Sequence, residues 1–260
     1  MINKVKLGIN NLYLFKNNND DYLLLDTALP CKEDVILDEI NKLIGDYNKI
    51  KVIVITHSHS DHIGNLKLLL DKINEYGEQG YKYYWTYSHI GFDKFEEGLA
   101  ILAKGDVVAV EDFYCTAQQT VTSIESRKIL KVDLKINDEI VEFYSCHMNL
   151  PTCKGEDIEQ NLYNLVNYTD NTNLKIFMGD FNTDYFNQVD EYKAILEQGL
   201  FDTYEMALKK DKGVTVYKNI SGWEDSMCQK KLDYIFSNKK LNVEESYVIF
   251  NNENYPIISD

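Results

Sequence analysis

The chain has 260 residues, 42 acidic against 27 basic side chains, and a formal net charge of −15. That balance argues against a protein whose main business is nucleic-acid phosphate, which calls for clustered Lys and Arg. It leaves room for a small phosphorylated substrate, whose charge a hard cation offsets, and carboxylates and amides are the ligands such a cation prefers.

In chain order, short strands are expected over 5–9, 12–16 and 22–26, with the Asn/Asp-rich turn 17–21 between the last two. Residues 32–43 have helical spacing, with Val35, Ile36, Ile40 and Leu43 apolar. A continuous β-branched run over 50–56 reads as a buried strand, and 64–76 as a helix. The pattern then turns mostly to strand: 81–87, 98–103, 107–110, 126–136 and 139–147. A helix over 157–168 precedes a strand over 174–178, and a further helix covers 190–198. The last expected strands are 215–217, 232–236 and 243–250. Two β-rich layers flanked by helices predict an α/β fold, a four-layer α/β/β/α sandwich.

The five Cys (31, 115, 146, 153 and 228) are odd in number and form no CxxC pair, so no disulfide framework is expected and a cytoplasmic setting is. The first eight residues carry no signal-peptide core, and no apolar run reaches membrane-spanning length.

Two constellations carry chemistry. The first is Thr56-His57-Ser58-His59-Ser60-Asp61-His62. His57 and His59 alternate at the end of a strand and so face the same way, with Asp61 and His62 following before the helix. Imidazole nitrogen and carboxylate oxygen together suit zinc or iron. A polar turn rich in His is the bland alternative, but three of the chain's five His fall here. Residues 52–65, with Asp26-Thr27 upstream, resemble the metallo-β-lactamase superfamily and its HxHxDH motif. The resemblance implies that His57, His59, Asp61 and His62 hold Zn²⁺, with Asp26 in support. It covers about the first 68 residues. The family completes its site with further His and Asp, and the remaining His89 and His147 sit in no matching context.

The second is Gly179-Asp180-Phe181-Asn182, at the exit of the 174–178 strand. It delivers a carboxylate and an amide, two residues apart, to one face of the chain. That pair suits metal-assisted phosphoester hydrolysis, although a tight turn also explains it. From about residue 69 onward the chain resembles the endonuclease/exonuclease/phosphatase superfamily. The motifs fall in the family's order: Gly98-Leu99-Ala100-Ile101-Leu102, the strand Phe143-Tyr144-Ser145-Cys146-His147, the Gly-Asp-Phe-Asn segment, Lys231-Leu232-Asp233-Tyr234-Ile235-Phe236, and Ser259-Asp260. The segment from Trp85 to Gly98, and Gly222-Trp223, look like the branch that contains maltose 6'-phosphate phosphatase.

This resemblance implies a phosphatase with Mg²⁺ as cofactor and a small phosphorylated sugar as substrate, with no nucleic acid or membrane as partner. His147 would hydrogen-bond the phosphoryl group, Asp180 orient or deprotonate water, Asn182 hold a phosphate oxygen, and Asp260 orient a final His or contact the metal. Asp233 and His89 admit a substrate-binding or a structural role, and Trp85 and Trp223 read as packing residues. The family's opening Asn strand and its Gln-Glu strand, which carries the principal metal ligand, are not found. The chain stops at Asp260, where the family continues with a catalytic His. The expectation is therefore a hybrid: residues 1–68 a metallo-β-lactamase-like fragment, and 69–260 an incomplete phosphatase-like domain. Three functions follow: an impaired sugar-phosphate phosphatase, a metallo-β-lactamase-fold zinc hydrolase, or a chimera without catalysis.

Overall fold

The computed structural model describes residues 2–6, 11–16, 22–25, 33–54, 68, 71, 80–91, 95–216 and 229–248. They fall in two compact units, Met1–Gly105 and Asp106–Asp260. Both combine helices with sheets, as the expected α/β class requires. Among the described residues no helix is long and apolar enough to cross a membrane.

In the first unit, β1 (Ile2–Lys6), β2 (Asn11–Lys16), β3 (Tyr22–Leu25) and β4 (Ile50–Val54) form a four-stranded sheet in that order. The first two pairings are antiparallel and β3–β4 is parallel. A parallel pair needs a crossover, and α1 (Glu33–Ile44) supplies it. Ile36, Ile40 and Ile44, four apart on one stripe, are buried. The helix ends at Gly45, whose φ of 71° lets its N–H return to the Asn41 carbonyl at 2.8 Å. A separate antiparallel ribbon joins β5 (Tyr81–Gly91) to β6 (Phe95–Lys104). Both strands outrun the expected 81–87 and 98–103, because each continues as far as the other can pair. Of the expected 64–76 helix, residues 68 and 71 are described and are helical.

The second unit holds β7 (Asp106–Tyr114), β8 (Lys128–Ile136), β9 (Glu139–His147), α2 (Ile158–Val166), β10 (Leu174–Asp180), α3 (Val189–Glu197), β11 (Phe201–Asp202), α4 (Thr203–Met206), β12 (Lys209–Lys210), β13 (Asp233–Ser237) and β14 (Glu245–Ser246). Six strands make one mixed sheet in the order β11-β13-β10-β9-β8-β7. The β8–β9 hairpin turns on Asn137 and Asp138 at φ 50° and 67°, the left-handed pair a two-residue turn needs. β9 and β10 run parallel, joined through α2, whose N-cap Asp157 accepts the Gln160 N–H at 3.0 Å. Leu162 and Leu165 of α2 and Tyr192 and Ile195 of α3 pack with Tyr144, Cys146, Phe177, Tyr234 and Phe236 of the sheet.

Two expected strands are described in part. Of 215–217, residues 215 and 216 are described: Val216 makes a single bridge to Lys230, and the Thr215 hydroxyl takes the Leu232 N–H. Of 243–250, residues 243–248 are described and hold β14, whose partner β12 is two residues long.

One buried carboxylate anchors the sheet from below. Glu142 of β9 is 1% exposed. It accepts hydrogen bonds from Tyr144 Oη at 2.5 Å, Thr169 Oγ1 at 2.8 Å, Asn171 Nδ2 at 2.5 Å and Asn173 Nδ2 at 2.9 Å. These tie the α2–β10 loop to the strand.

Candidate active site

The ends of β9, β10 and β13 meet in one row. Asp180, the last residue of β10, lies in register with His147, the last of β9, and with Asp233, the first of β13. Residues opposite one another on neighbouring strands share a face. Here it is the face away from α2 and α3, since the alternate residues Cys146 and Tyr234 enter the helical core. His147 Nε2 lies 3.8 Å from Asp180 Oδ2, with the two side chains 31% and 35% exposed.

The Gly-Asp-Phe-Asn segment divides its labour residue by residue. Gly179 has φ 134°, and a Cβ there would meet the Cys146 carbonyl oxygen at 2.0 Å, so no other residue fits. Phe181 is 2% exposed and sets its ring edge-on to Tyr234 and Phe236. Asn182 takes φ 50°, donates its backbone N–H to Asp180 Oδ1 at 2.7 Å, and donates its amide to the Met148 carbonyl at 2.8 Å. The Met148 N–H in turn meets the Asp180 carbonyl at 2.9 Å. The Asp180 carboxylate is thereby held by the Asn182 backbone, and the Asp180 backbone by the chain leaving β9.

Lys231-Leu232-Asp233 is organised as sharply. Lys231 turns inward over the Tyr234 ring, 3.4 Å from its centroid, and pairs with Asp202 Oδ2 at 3.4 Å. Burial pulls its ammonium down to about 8 against the pull of Asp202. Asp233 points the other way, to the row.

The electrostatics of the row are unfavourable by construction. Burial first, and then the neighbouring Asp233 charge, push the Asp180 carboxyl up to about 7, against the Asn182 N–H and the Arg127 guanidinium. Burial also raises Asp233, against a Thr215 hydrogen bond and Lys231. Both carboxyls are reached by solvent. A hard divalent cation fits this pair, because two oxygen donors that repel each other are stabilised by it. Asp180 and Asp233 are the residues that would hold it. Among the described residues no group of three His, Cys, Asp or Glu is clustered to hold a metal ion.

Of the other expected site residues, His89 is described in the first unit. It is 1% exposed, with Nε2 3.1 Å from Glu97 Oε2 and Nδ1 3.3 Å from Ser88 Oγ. In the same ribbon Trp85 packs its ring where a Cβ on Gly98 would fall. Asp26, His57, His59, Asp61, His62, Trp223 and Asp260 lie outside the described residues.

Sequence reading missed Arg127. Its Nη1 stands 3.4 Å from His147 Nδ1, and its Nε donates to Asn149 Oδ1 at 2.8 Å. A signal was present: Arg127 is the single arginine among 27 basic residues.

A solved endonuclease/exonuclease/phosphatase family protein from Leptotrichia buccalis is 50% identical, with 75% of this chain and 74% of that one covered and a TM-score of 0.68. The family model of the metallo-beta-lactamase superfamily matches residues 5–139, just over half of the chain. The chain belongs to both families. The metallo-beta-lactamase match runs past residue 68, where the motif reading placed its limit. A Bacillus subtilis protein, "Probable metallo-hydrolase YflN", is 28% identical over 72 residues, 27% of each chain, so the match spans about a quarter of that relative. Two Bacteroides thetaiotaomicron structures share the endonuclease/exonuclease/phosphatase fold at 18% identity, with TM-scores of 0.56 and 0.55; both cover 85% of this chain, and 81% and 85% of their own. Both families are metal-dependent. Together they support a hydrolase, of phosphoesterase type on the endonuclease/exonuclease/phosphatase side.

Proposed function

We propose that the chain is a metal-dependent phosphomonoesterase whose substrate is a small phosphorylated sugar. The observation that supports this most is the row His147–Asp180–Asp233 across three strand ends, built from residues of the family's own motifs. Mg²⁺ is the metal that the two carboxylates suit, and when bound it would neutralise phosphoryl charge. The protein groups do the rest. Asp180, at the end of β10 beside His147, would orient an attacking water or take its proton. His147 donates from Nε2 to a phosphoryl oxygen and stabilises charge as it develops. Asn182 holds the turn that aims Asp180, and holds a phosphate oxygen in this reading. Sugar phosphate is favoured by the motif likeness around Trp85, and one of the two Bacteroides neighbours is a mannosyl-6-phosphatase. A cytoplasmic enzyme, without nucleic-acid or membrane partners, fits the net charge of −15.

A second reading, a zinc hydrolase using His57, His59, Asp61 and His62, is favoured by the superfamily match over residues 5–139. One assay separates the two: phosphate release from sugar phosphates, nucleotides and phosphodiesters, with Mg²⁺ and then Zn²⁺. Mg²⁺-dependent release confined to sugar phosphates is expected. Zn²⁺-dependent turnover that vanishes in a His57→Ala/His59→Ala variant points to the second reading. No release from folded protein contradicts both.

A further inference from the structure

We propose that Arg127 is a positioning residue that fixes His147 as the Nε2–H tautomer, so that the ring presents a donor to the row of strand ends. What that donor meets rests on the phosphoesterase reading; the tautomer itself does not.

Arg127 stands immediately before β8, and its backbone is pinned on both sides. Its N–H donates to Thr116 Oγ1 at 2.9 Å, and its carbonyl accepts the Cys115 N–H at 3.1 Å. From that anchor the guanidinium makes two directed contacts, Nε to Asn149 Oδ1 at 2.8 Å and Nη1 to His147 Nδ1 at 3.4 Å. A guanidinium has no lone pair to offer. His147 Nδ1 is therefore the acceptor, and in a neutral imidazole the proton then sits on Nε2. Nε2 is the nitrogen that faces Asp180, 3.8 Å from its Oδ2.

The support behind Arg127 is polarised in the same sense. Asn149 is 4% exposed, and its Nδ2 donates to the Glu125 carbonyl at 2.8 Å. That bond leaves Oδ1 as the end facing Arg127; a flipped amide would set donor against donor and carbonyl against carbonyl. The sequence makes the same point by its economy. Every other basic residue except His is lysine, and arginine appears once, where two acceptors must be met by one rigid fork. A lysine ammonium is a point charge on a flexible stem and cannot span both acceptors in fixed geometry.

The test is a nitrogen-15 spectrum of the histidine side chains of the full chain, with His147 assigned by its loss in His147→Gln. The expected wild-type signals are an unprotonated Nδ1 and a protonated Nε2. Arg127→Lys keeps the charge but loses the fork, and its His147 signals should move towards a mixture of tautomers. Asn149→Ala loosens the fork with Arg127 in place and should move them the same way, which keeps the test open if Arg127→Lys fails to fold. In the phosphatase assay, Arg127→Lys should lose about 10- to 100-fold in kcat with KM little changed. A protonated Nδ1 in the wild type, or variant spectra identical to it, overturns the proposal. The expected tautomer in a protein that releases no phosphate with any metal supports the assignment and overturns the phosphatase reading instead.

Discussion

Two carboxylates of one sheet receive opposite treatment. Glu142 sits in β9, five residues before His147, and Asp180 ends the adjacent strand β10. Burial alone would raise Glu142, but hydrogen bonds from Tyr144, Asn173, Thr169 and Asn171 outweigh it and hold the carboxyl at about 2. Asp180 is opposed by burial too, receives one backbone N–H from Asn182, faces the like charge of Asp233, and rises to about 7. The difference lies in the supply of donors. Where the chain wants order it saturates a carboxylate; where it wants chemistry it leaves the charge poorly compensated, a state that a cation or a phosphoryl proton transfer relieves. Strand pairing positions both groups, so the fold alone does not distinguish them.

The largest expected effect strikes the strand that carries Asp180. Gly179→Ala places a Cβ on the Cys146 carbonyl at a φ of 134° and should cost about 3 kcal/mol or more, seen as a lower midpoint in denaturant. A variant with unchanged stability would mean that the two strands do not approach as described. Next comes Glu142→Gln. Losing charge-assisted hydrogen bonds should cost about 2 kcal/mol at neutral pH, while phosphate release per folded molecule stays unchanged. Activity lost with stability kept would erase the distinction between the two carboxylates.

Acid titration sharpens the same contrast. The folded value of Glu142, about 2, lies below its ordinary 4.5, so its contribution is complete above pH 4.5 and is lost as pH falls towards 2. Unfolding midpoints measured across that window should fall in the wild type and flatten in Glu142→Gln. The smallest effect is that of Asp233→Asn. Removing the neighbouring charge lowers Asp180, so the acid limb of the pH–rate profile should move to lower pH. A shift the other way would show that Asp233 assists Asp180 rather than opposing it.

Much of this site was legible in the sequence, for local reasons. β9 begins and ends at the expected residues, because alternation and the Asn137-Asp138 turn fix its register. The Gly-Asp-Phe-Asn segment announces its own turn. Asp233 was visible as a candidate through the likeness of Lys231-Leu232-Asp233-Tyr234-Ile235-Phe236 to a family motif. Arg127 was missed, because being the single arginine marks it without saying what it touches; its role arises from residues 20 and 22 positions away, His147 and Asn149. The short strands β11 and β12 were missed for a similar reason. They exist through pairing with β13 and β14, not through any pattern of their own.

The most direct test of the account is Asp180→Asn, assayed at once for phosphate release from a sugar phosphate with Mg²⁺ and for thermal unfolding. Release should fall by about 10²- to 10⁴-fold. Stability should rise, because Asp180 is raised in the folded state and its ionised form is therefore a cost above its ordinary 3.8, reduced to about 1 kcal/mol by the solvent that reaches it. Activity that survives the substitution, or a loss of stability matching that of Glu142→Gln, would contradict the assignment of Asp180 to chemistry.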